Sequence, residues 1–216
     1  MTRSVHSVRY AAPPVGDLRW QAPRPPPVNN TGVTRAVDQP PLCPQTGGFG
    51  LPEKYGFNTA IGNEDCLFLN VYAAPNASAL PVVVWIRRCI PLSSCNHPRK
   101  LIRGRTDGGG NSVFGALYDP SVWMNTNANG FIVVEIQYRL GAFGFLASPD
   151  IKAHGKLNAG LLDQRYALEW VQKHITKFGG DPRRVTIAGE SSGASSVMYH
   201  ALAYGGKSTN LFTNVG

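Results

Sequence analysis

Residues 185–204 constrain the fold of this chain more than any other stretch. Val185-Thr186-Ile187-Ala188 is a short β-branched run that reads as a strand, and it leads straight into Gly189-Glu190-Ser191-Ser192-Gly193. Residues 194–204 then read as a helix. A G-x-S-x-G run between a strand and a helix requires a sharp turn that lifts the central hydroxyl above a sheet. The two glycines remove Cβ atoms where strand and helix crowd together. Ser191 is therefore the candidate nucleophile, and the backbone N–H of Ser192, at a helix start, is a candidate oxyanion donor. A bare match would be an ordinary Gly/Ser turn. The strand before it and the helix after it give it weight.

The rest of the chain supplies a sheet to carry such a turn. PVVVWI (81–86) and FIVVEIQY (131–138) are apolar, β-branched runs of the kind buried on both faces of a parallel sheet. Residues 64–74 set Leu67, Leu69 and Val71 against Phe68, Asn70 and Tyr72, which also predicts a strand. Over 160–178 the period changes: Leu161, Leu168, Val171, Ile175 and Phe178 share one helical face, and Gly179-Gly180 ends it as a C-cap would. Strand, helix, strand, helix predicts an α/β fold with a parallel sheet and right-handed crossovers. Residues 10–28 are Pro-rich and aperiodic. Tyr10, Leu18 and Trp20 need burial, so an ordered extended segment is expected, with a solvated polyproline linker as the alternative.

Length and charge narrow the functional classes. The 216 residues suffice for one large domain, and 43% apolar content is ordinary for a globular chain. No apolar run approaches the ~18 residues that a membrane span needs. The start, MTRSVHSVRY, lacks a signal-peptide core, so the protein is cytosolic or its true N-terminus is missing. The net charge of +8 invites a nucleic-acid reading, but it is local. Six basic residues (Arg87, Arg88, Arg99, Lys100, Arg103 and Arg105) lie within 87–106, which holds no acid. Without them Lys+Arg falls from 21 to 15 against 13 acids. No aromatic–basic interleaving accompanies the charge, so a nucleic-acid partner is not expected.

Of the four cysteines, Cys43, Cys66, Cys89 and Cys95, none forms a CxxC pair, so zinc and thiol-redox readings are weak. Cys43 and Cys66 flank a Gly-rich loop and in an exported protein would be able to close it. The triplets Asn29-Asn30-Thr31 and Asn76-Ala77-Ser78 match the glycosylation acceptor pattern and point the same way.

YAAPPVGDLRW, EDCLFLNVY, VVVWI, GGG, YRLGAFGFL and NAGLLDQRYALEWVQKHITKFGGDPRRVTIAGESSGA together resemble the type-B carboxylesterase/lipase family, the cholinesterase-like branch of α/β hydrolases. The resemblance covers nearly the whole chain except 87–106. It implies the N-terminal portion of a single α/β-hydrolase domain, with a mixed, mostly parallel sheet and flanking helices. It further implies a serine ester hydrolase acting through an acyl-enzyme on a small-molecule or lipid ester, without metal or organic cofactor. Ser191 would be the nucleophile, and the N–H groups of Gly109, Gly110 and Ser192 the oxyanion hole. The resemblance also implies a Cys43–Cys66 disulfide and the structural ion pairs Arg19–Glu64 and Arg139–Asp163; the full-length protein is expected to be secreted, as the cysteines and the glycosylation triplets suggest.

The chain departs from that pattern twice. The family reads His-Gly-Gly-Gly directly after the strand, whereas here Ile86 is followed by twenty residues and then Asp107-Gly108-Gly109-Gly110. We read 87–106 as translated intron of about sixty bases with GT…AG ends, and exclude it from the fold. Its removal would join Ile86 to His-Gly-Gly-Gly and abolish the charge excess. A genuine surface insertion is the alternative, and cDNA across the junction separates the two. Secondly, the family's acid and base follow the serine far downstream, yet no acid follows Glu190 and His200 is the only later histidine. His200 lies nine residues along the same helix, about 13 Å away at 1.5 Å per residue, and reads as a solvated or packing group. His154 and His174 read as surface residues. The 216-residue polypeptide is thus expected to be inactive or poorly soluble alone. A non-catalytic adhesion module of the same fold, or the inactive product of a mis-spliced gene, remains the rival.

Overall fold

The computed structural model describes residues 3–28, 32–46, 60–86, 119–207 and 210–216. Within them lie strands β1 (Arg3–Arg9), β2 (Gln45–Thr46), β3 (Ala60–Ile61), β4 (Phe68–Ala73), β5 (Leu80–Ile86), β6 (Ile132–Ile136), β7 (Gly180–Gly189) and β8 (Asn214–Val215). The helices are α1 (Ser121–Thr126), α2 (Gly141–Phe145), α3 (Pro149–His154), α4 (Ala159–His174) and α5 (Ser192–Leu202). Six strands form one sheet in the order β1-β4-β6-β5-β7-β8, and β2 pairs with β3 separately. The β1/β4 and β4/β6 pairs are antiparallel, while β6/β5, β5/β7 and β7/β8 are parallel. The sheet is therefore mixed and mostly parallel, as expected.

One face of the sheet holds the main core. Val82, Val84 and Ile86 of β5 meet Ile132, Val134 and Ile136 of β6 and Val185 and Ile187 of β7, all fully buried. Ala167, Leu168 and Val171 of α4, together with Val197 of α5, cover this face. On the other face Met124 of α1 packs with Tyr72 and Val133. The expectation that 81–86 is buried on both faces needs correction: Val83 and Trp85 are partly exposed. Among the described residues α1 and the segment around Gln39 lie on that side, where Gln39 accepts from buried Asn70, and the middle of β5 is less fully covered there.

Boundaries differ where short polar stretches carry structure. β7 begins at Gly180 rather than Val185, because the 180–184 segment also pairs alongside β5 through a register shift. α4 ends at His174 and tightens into a 3₁₀ turn, Ile175–Phe178, before Gly179 adopts the left-handed φ of +82° that terminates it. α5 runs Ser192–Leu202 instead of 194–204, since Tyr204 and Gly205 already have positive φ. Residues 10–28 are ordered, which excludes the linker alternative. Tyr10 is buried and its hydroxyl donates to the Gln137 carbonyl at 2.6 Å, while half-buried Trp20 donates through Nε1 to the Ala142 carbonyl at 2.9 Å.

Candidate active site

The turn between β7 and α5 sits at the carboxyl ends of the parallel strands, where α/β sheets open their crevices. Gly189 pairs with Ile86 of β5 as the strand ends. A Cβ on Gly189 would meet the Gly193 carbonyl carbon at 2.6 Å and the Ile86 oxygen at 2.9 Å, both backbone atoms unable to move aside. Glycine at this position is a packing requirement. Ser191 then takes φ +58° and ψ −120°, a conformation that costs a non-glycine residue roughly 1–3 kcal/mol. It occupies the N-cap position of α5, yet its hydroxyl does not cap the helix. A serine there ordinarily turns its oxygen back onto the first helical amides. Here the side chain is exposed instead, as a nucleophile requires.

Backbone bonds fix the turn. The Gly193 N–H donates to the Glu190 carbonyl at 2.9 Å, and the Ser195 N–H to the Ser191 carbonyl at 3.0 Å. The Ser192 amide stands in the first turn of α5, among the N–H groups that have no partner within their own helix. Gly109 and Gly110, the other expected oxyanion donors, lie outside the described residues, as do the insertion 87–106 with Cys89 and Cys95 and the triplet at Asn29.

A polar network behind the turn lies outside what the sequence pattern predicts. Gln164 of α4, with no exposed surface, donates through Nε2 to Ser196 Oγ at 3.0 Å, and Ser196 donates to the Ser192 carbonyl at 3.1 Å. The Gln164 Oε1 atom is left to accept, and His200 Nε2 lies 2.8 Å from it. His200 is thus a neutral donor joining α5 to α4, the packing alternative of the two expected for it. The readable signal was a glutamine and a serine on the inner faces of two predicted helices, beside Ala167 and Val197.

Burial, assisted by Arg165, pushes His200 down to about 4. Its folded-state value lies below the ordinary 6.5, so the stability it contributes is complete above pH 6.5 and is lost as pH falls toward 4. The loss is at most about 3 kcal/mol. Urea unfolding at pH 7 and pH 4.5 should show it in the wild type, and His200→Gln, which keeps an amide donor, should show a correspondingly flatter profile. Equal pH dependence of the two proteins would refute the assignment. The other described histidines are engaged elsewhere. His6 packs edge-on against Tyr72, exposed His154 lies 3.2 Å from the Asp150 carbonyl, and His174 is half-buried against Trp170 rather than on the open surface.

The remaining expected residues frame the site from a distance. Cys43 and Cys66 are joined as a disulfide. Arg19 binds Glu64 through two bonds, at 2.6 and 2.8 Å, on a partly exposed surface. Arg139 and Asp163 are 2% and 0% exposed at the side chain, so their pairing occurs out of water. Arg139 donates to Asp163 from its backbone N–H at 3.1 Å, from Nε at 2.8 Å and from Nη2 at 2.7 Å. Its Nη2 also reaches the Gln21 carbonyl at 2.8 Å, which ties the Pro-rich segment to α4. Burial raises the Asp163 carboxyl against the opposing pull of Arg139. Among the described residues, no group of three or more His, Cys, Asp or Glu is placed to hold a metal, and no helix is long and apolar enough to cross a membrane.

Known proteins are similar to this chain in sequence and fold. A model described as "Carboxylesterase family" matches residues 2–215. The chain is 38% identical over 227 residues to "Secreted lipase 1" of Botryotinia fuckeliana (strain B05.10), covering 94% of this chain and 35% of that protein. It is 39% identical over 204 residues to "Acylcarnitine hydrolase" of Mus musculus, covering 91% and 32%. Among solved structures, Aspergillus niger EstA superposes with a TM-score of 0.75 at 38% identity, covering 99% of this chain and 37% of that one. A thermophilic pNB esterase gives 0.75 at 35% identity, covering 99% and 40%. The chain therefore spans between about a third and two fifths of the length of these relatives, and its sheet and helices are part of an α/β-hydrolase fold.

Proposed function

We propose, from the premise that this chain belongs to the carboxylesterase family, that the full-length protein hydrolyses carboxylic esters through an acyl-enzyme on Ser191. The observation that carries the reading is the exposed Ser191 side chain, strained at φ +58° and not used to cap α5. In this reading the Ser191 oxygen attacks the acyl carbonyl while a base removes its proton. The Ser192 N–H, with Gly109 and Gly110, stabilises the oxyanion, the alcohol leaves, and water then releases the acid. The substrate is an ester of a small molecule or a lipid. Export of the protein is part of the proposal, supported by the Cys43–Cys66 disulfide and by a secreted relative.

A base for Ser191 is proposed to come from outside the described residues, since His6, His154, His174 and His200 each have other surroundings. The 216-residue polypeptide is the N-terminal portion of the hydrolase domain in this proposal, and 87–106 is not native to it. Pre-steady-state mixing of the spliced, full-length protein with excess p-nitrophenyl acetate tests the acyl-enzyme. A burst of p-nitrophenolate stoichiometric with protein, followed by a slower linear phase, is expected, whereas the 216-residue polypeptide should give neither. Turnover without any detectable covalent intermediate, or full turnover by the short polypeptide, would overturn the reading. An adhesion module of the same fold is disfavoured because Ser191 is retained within Gly-Glu-Ser-Ser-Gly.

A further inference from the structure

We propose that Asn76 carries an N-linked glycan, placed at the end of the sheet remote from Ser191. Asn76-Ala77-Ser78 fits the acceptor pattern, with no proline at the middle position and Ala79 following. The triplet occupies the connection between β4 and β5, where the Ala77 N–H closes a turn onto the Ala74 carbonyl at 3.1 Å. Both residues that the transfer needs, Asn76 and Ser78, are exposed. An open groove of about 530 Å³, lined by Asn76, Ser78, Leu80 and the Ala128–Gly130 turn, runs beside them. The first sugars would therefore enter free space rather than a neighbouring element.

Two further features make the position compatible with function. β5 runs for seven residues from Leu80, near the acceptor, to Ile86, which pairs with Gly189. At ~3.3 Å per residue this separates the glycan from the Ser191 turn by roughly 20 Å. The Cys43–Cys66 disulfide belongs to the oxidising compartments in which such glycans are attached. In the transfer, the Asn76 amide nitrogen attacks the anomeric carbon of a polyprenyl-diphosphate oligosaccharide. A carbon–nitrogen bond forms, the carbon–oxygen bond to the diphosphate breaks, and the amide proton passes to solvent as the polyprenyl diphosphate leaves.

The test is export of the full-length protein from a eukaryotic host, followed by peptide N-glycosidase F digestion in ¹⁸O-water and peptide mapping. The expected result is position 76 recovered as ¹⁸O-labelled aspartate. Asn76→Gln and Ser78→Ala should each remove one glycan's mobility shift and leave ester turnover unchanged. Agreement of the two substitutions guards against misfolding of either. Recovery of position 76 as unmodified asparagine from folded, exported protein overturns the proposal, whether or not Asn29 is occupied. The label is read by mass, so failure of the hydrolase reading would leave this result unaffected.

Discussion

Ser191→Ala in the full-length protein is expected to lower kcat on a small acyl ester by roughly 10⁵- to 10⁶-fold, leaving only the weak catalysis of the oxyanion donors and binding. The size follows from the proposed mechanism: in it, removing the attacking oxygen removes the covalent route entirely, whereas losing one oxyanion donor would cost about 10²–10³-fold. Stability gives a second, independent signature. Alanine at φ +58° is strained as serine is, so Ser191→Ala should melt close to wild type. Glycine tolerates that conformation, so Ser191→Gly should be equally inactive yet more stable by about 1 kcal/mol or more, as the strain is released. Chemical denaturation of the three proteins, set beside their ester turnover, checks both parts. A Ser191→Gly variant less stable than Ser191→Ala would mean that the turn is not held under strain.

Asp163→Ala is expected to have the largest effect on folding, about 3–5 kcal/mol of destabilisation, because it leaves the Arg139 guanidinium charged and buried without a counter-charge. Arg139 is already short of partners: its Nη1 is buried with none among the described residues. The substitution removes the three bonds to Asp163 and leaves only the Gln21 carbonyl at Nη2. A paired replacement, Arg139→Met with Asp163→Leu, removes both charges together and should recover much of the loss, since a buried ion pair contributes little beyond what well-packed apolar groups supply. Urea unfolding of the single and double variants of the full-length protein measures this. If the double variant were as unstable as either single, with no recovery, the pair would be stabilising in its own right. By contrast, Arg19–Glu64 is partly exposed and screened by solvent, and breaking it should cost far less than breaking the buried pair.

The parts of the fold legible in the sequence are those whose residues carry a local period. Leu168, Val171 and Ile175 mark α4 because its buried face faces one sheet, and the β-branched runs of β5, β6 and the second half of β7 mark strands. β1 was not read. Its alternation is broken by the irregularity between Val5 and Val8, where Ser7 has φ +56°, and its partner Ala73 lies far along the chain. The first half of β7 was hidden by Asp181, Pro182, Arg183 and Arg184, which look like a loop and yet flank a strand held by its neighbour β5. α2 contains two glycines in five residues and has no intrinsic helical signal. It forms because its backbone packs tightly against Arg139 and α4, where Gly144 and Gly160 have no room for a Cβ.

The site divides in the same way. Ser191 and Ser192 could be located from five consecutive residues and their flanks, because a strand–turn–helix is a local object. The Arg139–Asp163 and Cys43–Cys66 pairings were implied by family resemblance, not by spacing. The Gln164–Ser196–His200 network depends on α4 meeting α5 across 32 residues of sequence, which no local pattern encodes. His200 illustrates the consequence. Nine residues after Ser191 it reads as either a solvated or a packing group, and in the fold it packs, helping to hold the helix that follows Ser191.

The most direct measurement is to treat the full-length protein with a fluorophosphonate and locate the adduct by peptide mass mapping. Stoichiometric phosphonylation of Ser191, absent from Ser191→Ala and from urea-unfolded protein, is the expected result. Adduct on another residue, or no adduct on protein that is folded and turns over esters, would contradict the assignment of Ser191 as the nucleophile.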